Sequence, residues 1–373
     1  MIIAGRSLVW PRVEELRSQF PVLERMAYLN AGTNGPVPRT ALEAVERSLG
    51  EQLENGRCGS AWFERQIGRI DELRGRVAGL LGAEQRDVAI TGSTTDGVNA
   101  AINALDLAPG DDVITSDEEH PGVLGPLATA RDTRGVSVRV VPFAELPEAV
   151  TDDTRLVVTS HVSWATGRVM DTAPLAASGA IVVLDGAQGL GAVPMDVREL
   201  GCDFYAASGQ KWLCGPNGIG YLYVNPELVP GLPAPWSGYH AMEDPQRALD
   251  PALRDDARRL STTFPPPHHV EWAHASLDVL DAAGFDRVHE RALRGAERLA
   301  GLLREGGVTV SDRGASTLVS FEVPDPPEFA ERAAGEDVVI RSIPNSAYAR
   351  ASVGGWSSDE ELERLAGLAA DAG

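Results

Sequence analysis

Of the 33 lysine and arginine residues in this 373-residue chain, one is lysine, Lys211. A guanidinium stays protonated and cannot act as an amine nucleophile or base, so Lys211 is where amine chemistry is irreplaceable. It stands in Ser208-Gly209-Gln210-Lys211-Trp212. Three other segments carry residue types that complement an amine. Gly92-Ser93-Thr94-Thr95-Asp96-Gly97 puts small and hydroxyl residues ahead of a helix, an arrangement that binds anions. Asp117-Glu118-Glu119-His120-Pro121 offers an imidazole, and Asp185-Gly186-Ala187-Gln188 a carboxylate. Singly, each has a plainer reading: Ser-Thr-Thr and a strand-terminal Asp cap helices, and a lone His is a structural hydrogen-bonder.

The elements that must position these segments follow from hydropathy. From Asp87 onward, β-rich runs alternate with helical stretches. The expected strands are Asp87–Thr91, Asp112–Ser116, Ser137–Val141, Arg155–His161, Ala180–Leu184, Asp203–Ala206 and Gly220–Val224. Helical patterns at Gly97–Ala104, Gly122–Arg134 and Thr172–Ser178 lie between them. Near-continuous apolar strands suit a parallel sheet buried on both faces. The loop holding Lys211 joins the last two strands and is too short for a helical crossover. Ligands of such sheets sit at the carboxyl ends of the strands, where all four segments lie. A molecule with a phosphate, a flat ring, a basic ring nitrogen and an aldehyde would use all four, and pyridoxal phosphate (PLP) is that molecule.

Past Pro230 a proline-rich connection, which includes Trp236, Tyr239 and His240 as further pocket candidates, leads to helices at Val270–Ala283 and Phe285–Glu305. Strands are expected at Val308–Val310, Thr317–Val323 and Val338–Ser342, then a closing helix, Ser358–Ala370. The division expected is a large PLP-binding domain over 26–255 and a smaller α+β domain over 256–373. Residues 1–25, with a helix at Arg12–Phe20, pack with the small domain. The net charge of −21 argues against nucleic-acid or anionic-membrane partners. Three cysteines (Cys58, Cys202, Cys214) make no disulfide framework, and no apolar run is long enough to span a bilayer. No metal site is expected, and the location expected is cytoplasmic.

The ordered set Ser160–Gly167, Leu184–Gln188, Ser208–Gly220 and Arg350–Ser352, with Tyr28-Leu29-Asn30 near the start, resembles the class V aminotransferase family of PLP enzymes. That group includes cysteine desulfurases, kynureninases and isopenicillin N epimerase-like proteins. The resemblance implies a fold-type I PLP-dependent transferase with a mixed, mostly parallel seven-stranded sheet, active as a homodimer with sites at the subunit interface. It implies that Lys211 carries PLP as a Schiff base and shuttles the substrate α-proton, that Asp185 holds the ring nitrogen protonated, and that His120 stacks on the ring. Gln188 would bond the ring's phenolic oxygen. Thr94, Thr95, Ser208 and Gln210 would bind the phosphate, with Thr262 or Thr263 of a partner subunit; Gln210 stands where the family often has His. Arg350 would grip the substrate carboxylate, with Asn30 at the pocket edge.

Two departures sharpen the reading. The stretch 341–350, where a desulfurase carries its nucleophilic cysteine, is short and has none, and Cys214 reads as a small buried thiol. Trp164 replaces the family's usual Asn beside the cofactor. The combination is similar to the cyst(e)ine C–S lyase branch, which β-eliminates cystine or cysteine derivatives to pyruvate, ammonia and a persulfide or thiol. The rivals are an aminotransferase or epimerase-like enzyme on another amino acid, a cysteine-sulfoxide lyase of thiol biosynthesis, and a non-catalytic sulfur-transfer scaffold.

Overall fold

A seven-stranded sheet, buried on both faces except along its last edge strand, forms the centre of the molecule. The computed structural model describes residues 13–261 and 264–372. In chain order, the first part holds α1 (Val13–Arg17), β1 (Ala27–Tyr28), α2 (Arg39–Asn55), α3 (Ser60–Leu81), β2 (Val88–Thr91) and α4 (Thr94–Ala104). Then come β3 (Asp112–Ser116), α5 (Pro121–Arg134), β4 (Ser137–Val141), α6 (Leu146–Ala149), β5 (Thr154–Ser160), α7 (Ala173–Ala177), β6 (Ile181–Asp185), α8 (Val197–Leu200), β7 (Phe204–Ser208) and β8 (Gly220–Val224). The last part holds α9 (Pro267–Ala283), α10 (Phe285–Glu305), β9 (Leu318–Glu322), α11 (Pro326–Gly335), β10 (Val338–Val339), β11 (Arg341–Ser342), β12 (Tyr348–Ser352) and α12 (Asp359–Ala370).

The large sheet runs β2-β8-β7-β6-β5-β3-β4. Only β8 is antiparallel to its neighbours, as the short loop after β7 requires. Alternate residues feed two cores. Val157, Val182 and Tyr205 face one side with α3 and α9; Val158, Val183 and Phe204 face the other with α4 and α5. This double burial is why the strands read as apolar runs. Helix α9 shares the core of the large sheet, and the third core begins in α10 and includes β9, β12 and α12. Ala27 and Leu29 belong to that third core, and β1 pairs with β10.

The strand at 308–310 is not formed; Val310 makes a single bridge to Phe321. The expected Val338–Ser342 strand divides at Ile340, its first half pairing β1 and its second β12. Strand β12 has no counterpart among the expected strands: Tyr-Ala-Arg-Ala-Ser has weak β-propensity, and pairing to both β9 and β11 holds it. The N-terminal helix covers Val13–Arg17, with Arg12 outside the described residues. Arg17 bonds the Trp356 carbonyl and pairs with Glu361 at 2.8 Å.

Candidate active site

Strand ends and two loops enclose a cleft of about 210 Å³. Its walls include Ser93, Thr94 and Thr95 after β2, His120 after β3, Asp185 at the end of β6, Ser208 at the end of β7, and Gln210 and Lys211 beyond it. Gln188, Trp164 and Arg350 also line it. The candidates drawn from separate strand ends thus meet in one place, as the parallel topology demands.

The Lys211 loop is held from both sides. Gly209 N–H donates to Ile219 O at 2.9 Å, and Gly35 N–H donates to Gln210 O at 2.7 Å. A Cβ at Gly35 would run into the Lys211 carbonyl oxygen, so this crossing of loops needs glycine. Burial lowers the Lys211 pKa to about 8; the Asp185 charge opposes, and Arg350 and Arg341 reinforce the lowering. Asp185 accepts from Ala187 N–H at 2.8 Å, and burial raises its carboxyl against the pull of Lys211. Buried Cys214 continues the loop at φ 54, its thiol pushed up by burial, which fits a packing role and not a nucleophile.

His120 caps α5: its Nδ1 accepts from Gly122 N–H at 3.0 Å, which leaves the proton on Nε2. Burial, with the charges of Lys211, Arg341 and Arg350, lowers its pKa to about 4, so the ring is neutral. Trp164 meets it edge-on, centroids 5.0 Å apart. Thr94 Oγ1 and Ser208 Oγ are in direct hydrogen bond at the N-terminus of α4, and Ser93 takes the Asp96 N–H at 3.1 Å. Gln188 donates to Gly32 O at 2.8 Å and accepts from Trp212 Nε1 at 3.0 Å, fixing its amide.

Arg350 is 1% exposed and donates from Nη1 to Trp164 O at 2.5 Å. Its Nε and Nη2 are buried with no protein partner. A Cβ on Gly32 would lie 3.0 Å from Nη2 and 2.7 Å from Ser352 Oγ, so glycine keeps this space open. Strand pairing places Arg341 directly opposite Arg350. Arg341 lines the cleft, donates to Thr33 Oγ1 at 3.4 Å and sits 5.4 Å from the Trp164 ring centre.

Sequence reasoning missed Arg341, Thr33 and Gly32. Pro344-Asn345-Ser346, a turn signal between the two arginines, could have placed Arg341 on a hairpin opposite Arg350. Asn30 does not line the cleft; its Oδ1 holds the Thr33 hydroxyl at 2.7 Å, one step behind. Trp236, Tyr239 and His240 line another hollow with Phe63, Ile67 and Phe264. Thr262 and Thr263 lie outside the described residues.

Residues 27–342 match the family described as Aminotransferase class-V. A cysteine desulfurase of Dickeya dadantii (strain 3937) is 31% identical over 308 residues, covering 75% of this chain and 74% of that protein. An isopenicillin N epimerase of Streptomyces clavuligerus is 26% identical over 95% of this chain and 96% of its own length. Among solved structures, the cystine C–S lyase C-DES in complex with its product cysteine persulfide superposes with a TM-score of 0.87 at 26% identity, over 95% of this chain and 100% of that one. A lysine-to-alanine mutant of C-DES, with glycine covalently linked to its PLP cofactor, gives 0.88 at 26% identity over 96% and 99%.

Proposed function

Because the chain belongs to the aminotransferase class-V family of PLP enzymes, we propose that it is a carbon–sulfur β-lyase for cystine or a like cysteine S-conjugate with a second anionic group. The residues present fit the cofactor: a helix N-terminus with hydroxyls for the phosphate, a buried carboxylate, and an amine of lowered pKa. When bound, PLP supplies an electron-withdrawing ring that stabilises negative charge at the substrate Cα.

The chain's own residues have the following roles. The Lys211 amine, poised near neutrality, holds the cofactor and takes the α-proton. Asp185, ionised beside a ring nitrogen, keeps that nitrogen protonated. Neutral His120 covers the ring face without adding a competing positive charge. Thr94, Thr95, Ser208 and Gln210 bind the phosphate, and Gln188 the phenolic oxygen. The free Nε and Nη2 of Arg350 take the α-carboxylate as a fork. Once the α-proton is gone, a sulfur substituent on Cβ departs unless a proton returns first.

One observation carries the substrate assignment: the β11–β12 hairpin has no cysteine and presents two guanidiniums side by side. A persulfide relay needs a thiol there; a disulfide with a carboxylate at each end calls for two cations. We propose a cytoplasmic homodimer in which Thr262 or Thr263 of the partner subunit completes the phosphate site. The epimerase relative, matched over most of the chain, motivates the alternative that protons return to Cα. Incubation with L-cystine separates the two. Catalytic pyruvate release is expected; racemised amino acid, or stoichiometric pyridoxamine phosphate, without pyruvate would overturn the lyase.

A further inference from the structure

Glu119 is 4% exposed, and the groups that hydrogen-bond its carboxylate are all neutral donors. Oε1 accepts from Ser116 Oγ at 2.6 Å, Thr159 Oγ1 at 2.8 Å and Ser160 N–H at 3.0 Å. Oε2 accepts from Ser160 Oγ at 2.6 Å. Burying a carboxylate is costly unless its lone pairs are filled, and four donors fill them. Burial still raises its pKa to about 7 against the pull of those donors. An apolar side chain would fill this place at lower cost, so the carboxylate calls for a role beyond packing.

Its partners suggest that role. Ser116 ends β3, while Thr159 and Ser160 end β5, the parallel neighbour of β3. One carboxylate therefore ties together the carboxyl ends of two strands that border the cleft. Ser160 lines the cleft, and the residue after Glu119 is His120. Glu118 acts similarly on the next loop: its Oε2 accepts from Ser163 Oγ and, at 2.5 Å, from Thr166 Oγ1. Those residues flank Trp164, the ring that meets His120 edge-on.

We propose that Glu119 is a positioning residue of the cofactor site: its hydrogen bonds lock the ends of β3 and β5 so that His120 and Ser160 stand at fixed places against bound PLP. The inference rests on the cofactor and not on which substrate bond breaks. Its test needs no substrate, so it stands apart from the lyase reading.

Glu119→Gln keeps an acceptor oxygen but cannot accept on both sides. The variant, His120→Ala and the double variant are reconstituted with PLP. Circular dichroism is recorded in the cofactor's visible band, alongside PLP affinity and thermal unfolding of the apoproteins. A loosened ring environment should shrink the dichroic band severalfold and weaken PLP binding about tenfold. The double variant should lose less than the sum of the two single losses, because part of the Glu119 effect acts through His120. A variant that loses thermal stability but keeps the wild-type band and affinity would overturn the proposal, as would fully additive losses. Should Glu119→Gln not fold, Thr159→Val removes one donor; a reduced band supports the inference, and an unchanged one sinks it.

Discussion

At the scale of single residues, the site contrasts one amine with two guanidiniums. Borohydride reduction of the PLP-loaded protein should fix label on the Lys211 peptide, with the α-amino group as the sole competing amine; label found only elsewhere would remove Lys211 from its role. Lys211→Ala should lower turnover by on the order of 10³-fold or more. Arg341→Met should raise KM for cystine about 10- to 100-fold, the worth of a charge-assisted hydrogen bond, with kcat little changed. The same variant should treat a neutral S-alkyl cysteine almost as wild type does; equal losses on both would refute a distal-anion role. Acid sensitivity follows from His161, buried against Tyr205 OH at 3.0 Å; burial lowers the His161 pKa from 6.5 to about 4. Between those values the unfolded chain binds the proton and the folded chain does not, so this contribution to stability is lost as pH falls. Glu119, raised from 4.5 to about 7, has the opposite sign, its contribution being lost as pH rises through that window. His161→Gln should therefore flatten the acid side of a urea-derived stability profile between pH 6.5 and 4.

At the scale of elements, the strands of the large sheet are legible in the amino-acid sequence. β3 and β8 coincide with their expected ranges because buried strands are apolar runs bounded by turn residues, and the part-exposed edge strand β4 also matches its expected range. Strand β12 is not legible there: its small and charged residues are held by pairing to β9, on the far side of α11 in the chain. With it goes the hairpin, and with the hairpin the pairing of Arg341 to Arg350. The glycines separate local from tertiary demands. Gly32→Ala should weaken substrate binding, since its Cβ would meet Ser352 Oγ at 2.7 Å, Gln188 Oε1 at 2.9 Å and Arg350 Nη2 at 3.0 Å. Gly301→Ala, within α10 with open space around it, should stabilise the fold by about 0.5–1 kcal/mol. Thermal melts and KM values for the two variants should move in these different directions.

At the scale of the whole molecule, the cleft forms where the large sheet, the N-terminal loop at Gly32–Gly35 and the β11–β12 hairpin converge. The proposed homodimer has a direct check. Sedimentation should give twice the chain mass, and one of Thr262→Ala or Thr263→Ala should weaken PLP binding without changing that mass. A monomer that holds PLP tightly would remove the partner hydroxyl from the site. No helix among the described residues is long and apolar enough to cross a membrane. Taken by itself, the sequence determined the class of sheet, the identity of the amine and the set of strand-end residues that meet around it. Those are local properties: apolar periodicity, and residue types placed just after each strand, where parallel topology must gather them. The tertiary structure decided which groups stand behind that set and which oppose it. Glu119 bound to Ser160, Asn30 behind Thr33 and Arg341 beside Arg350 depend on how whole segments pair and pack, and no local pattern specifies that.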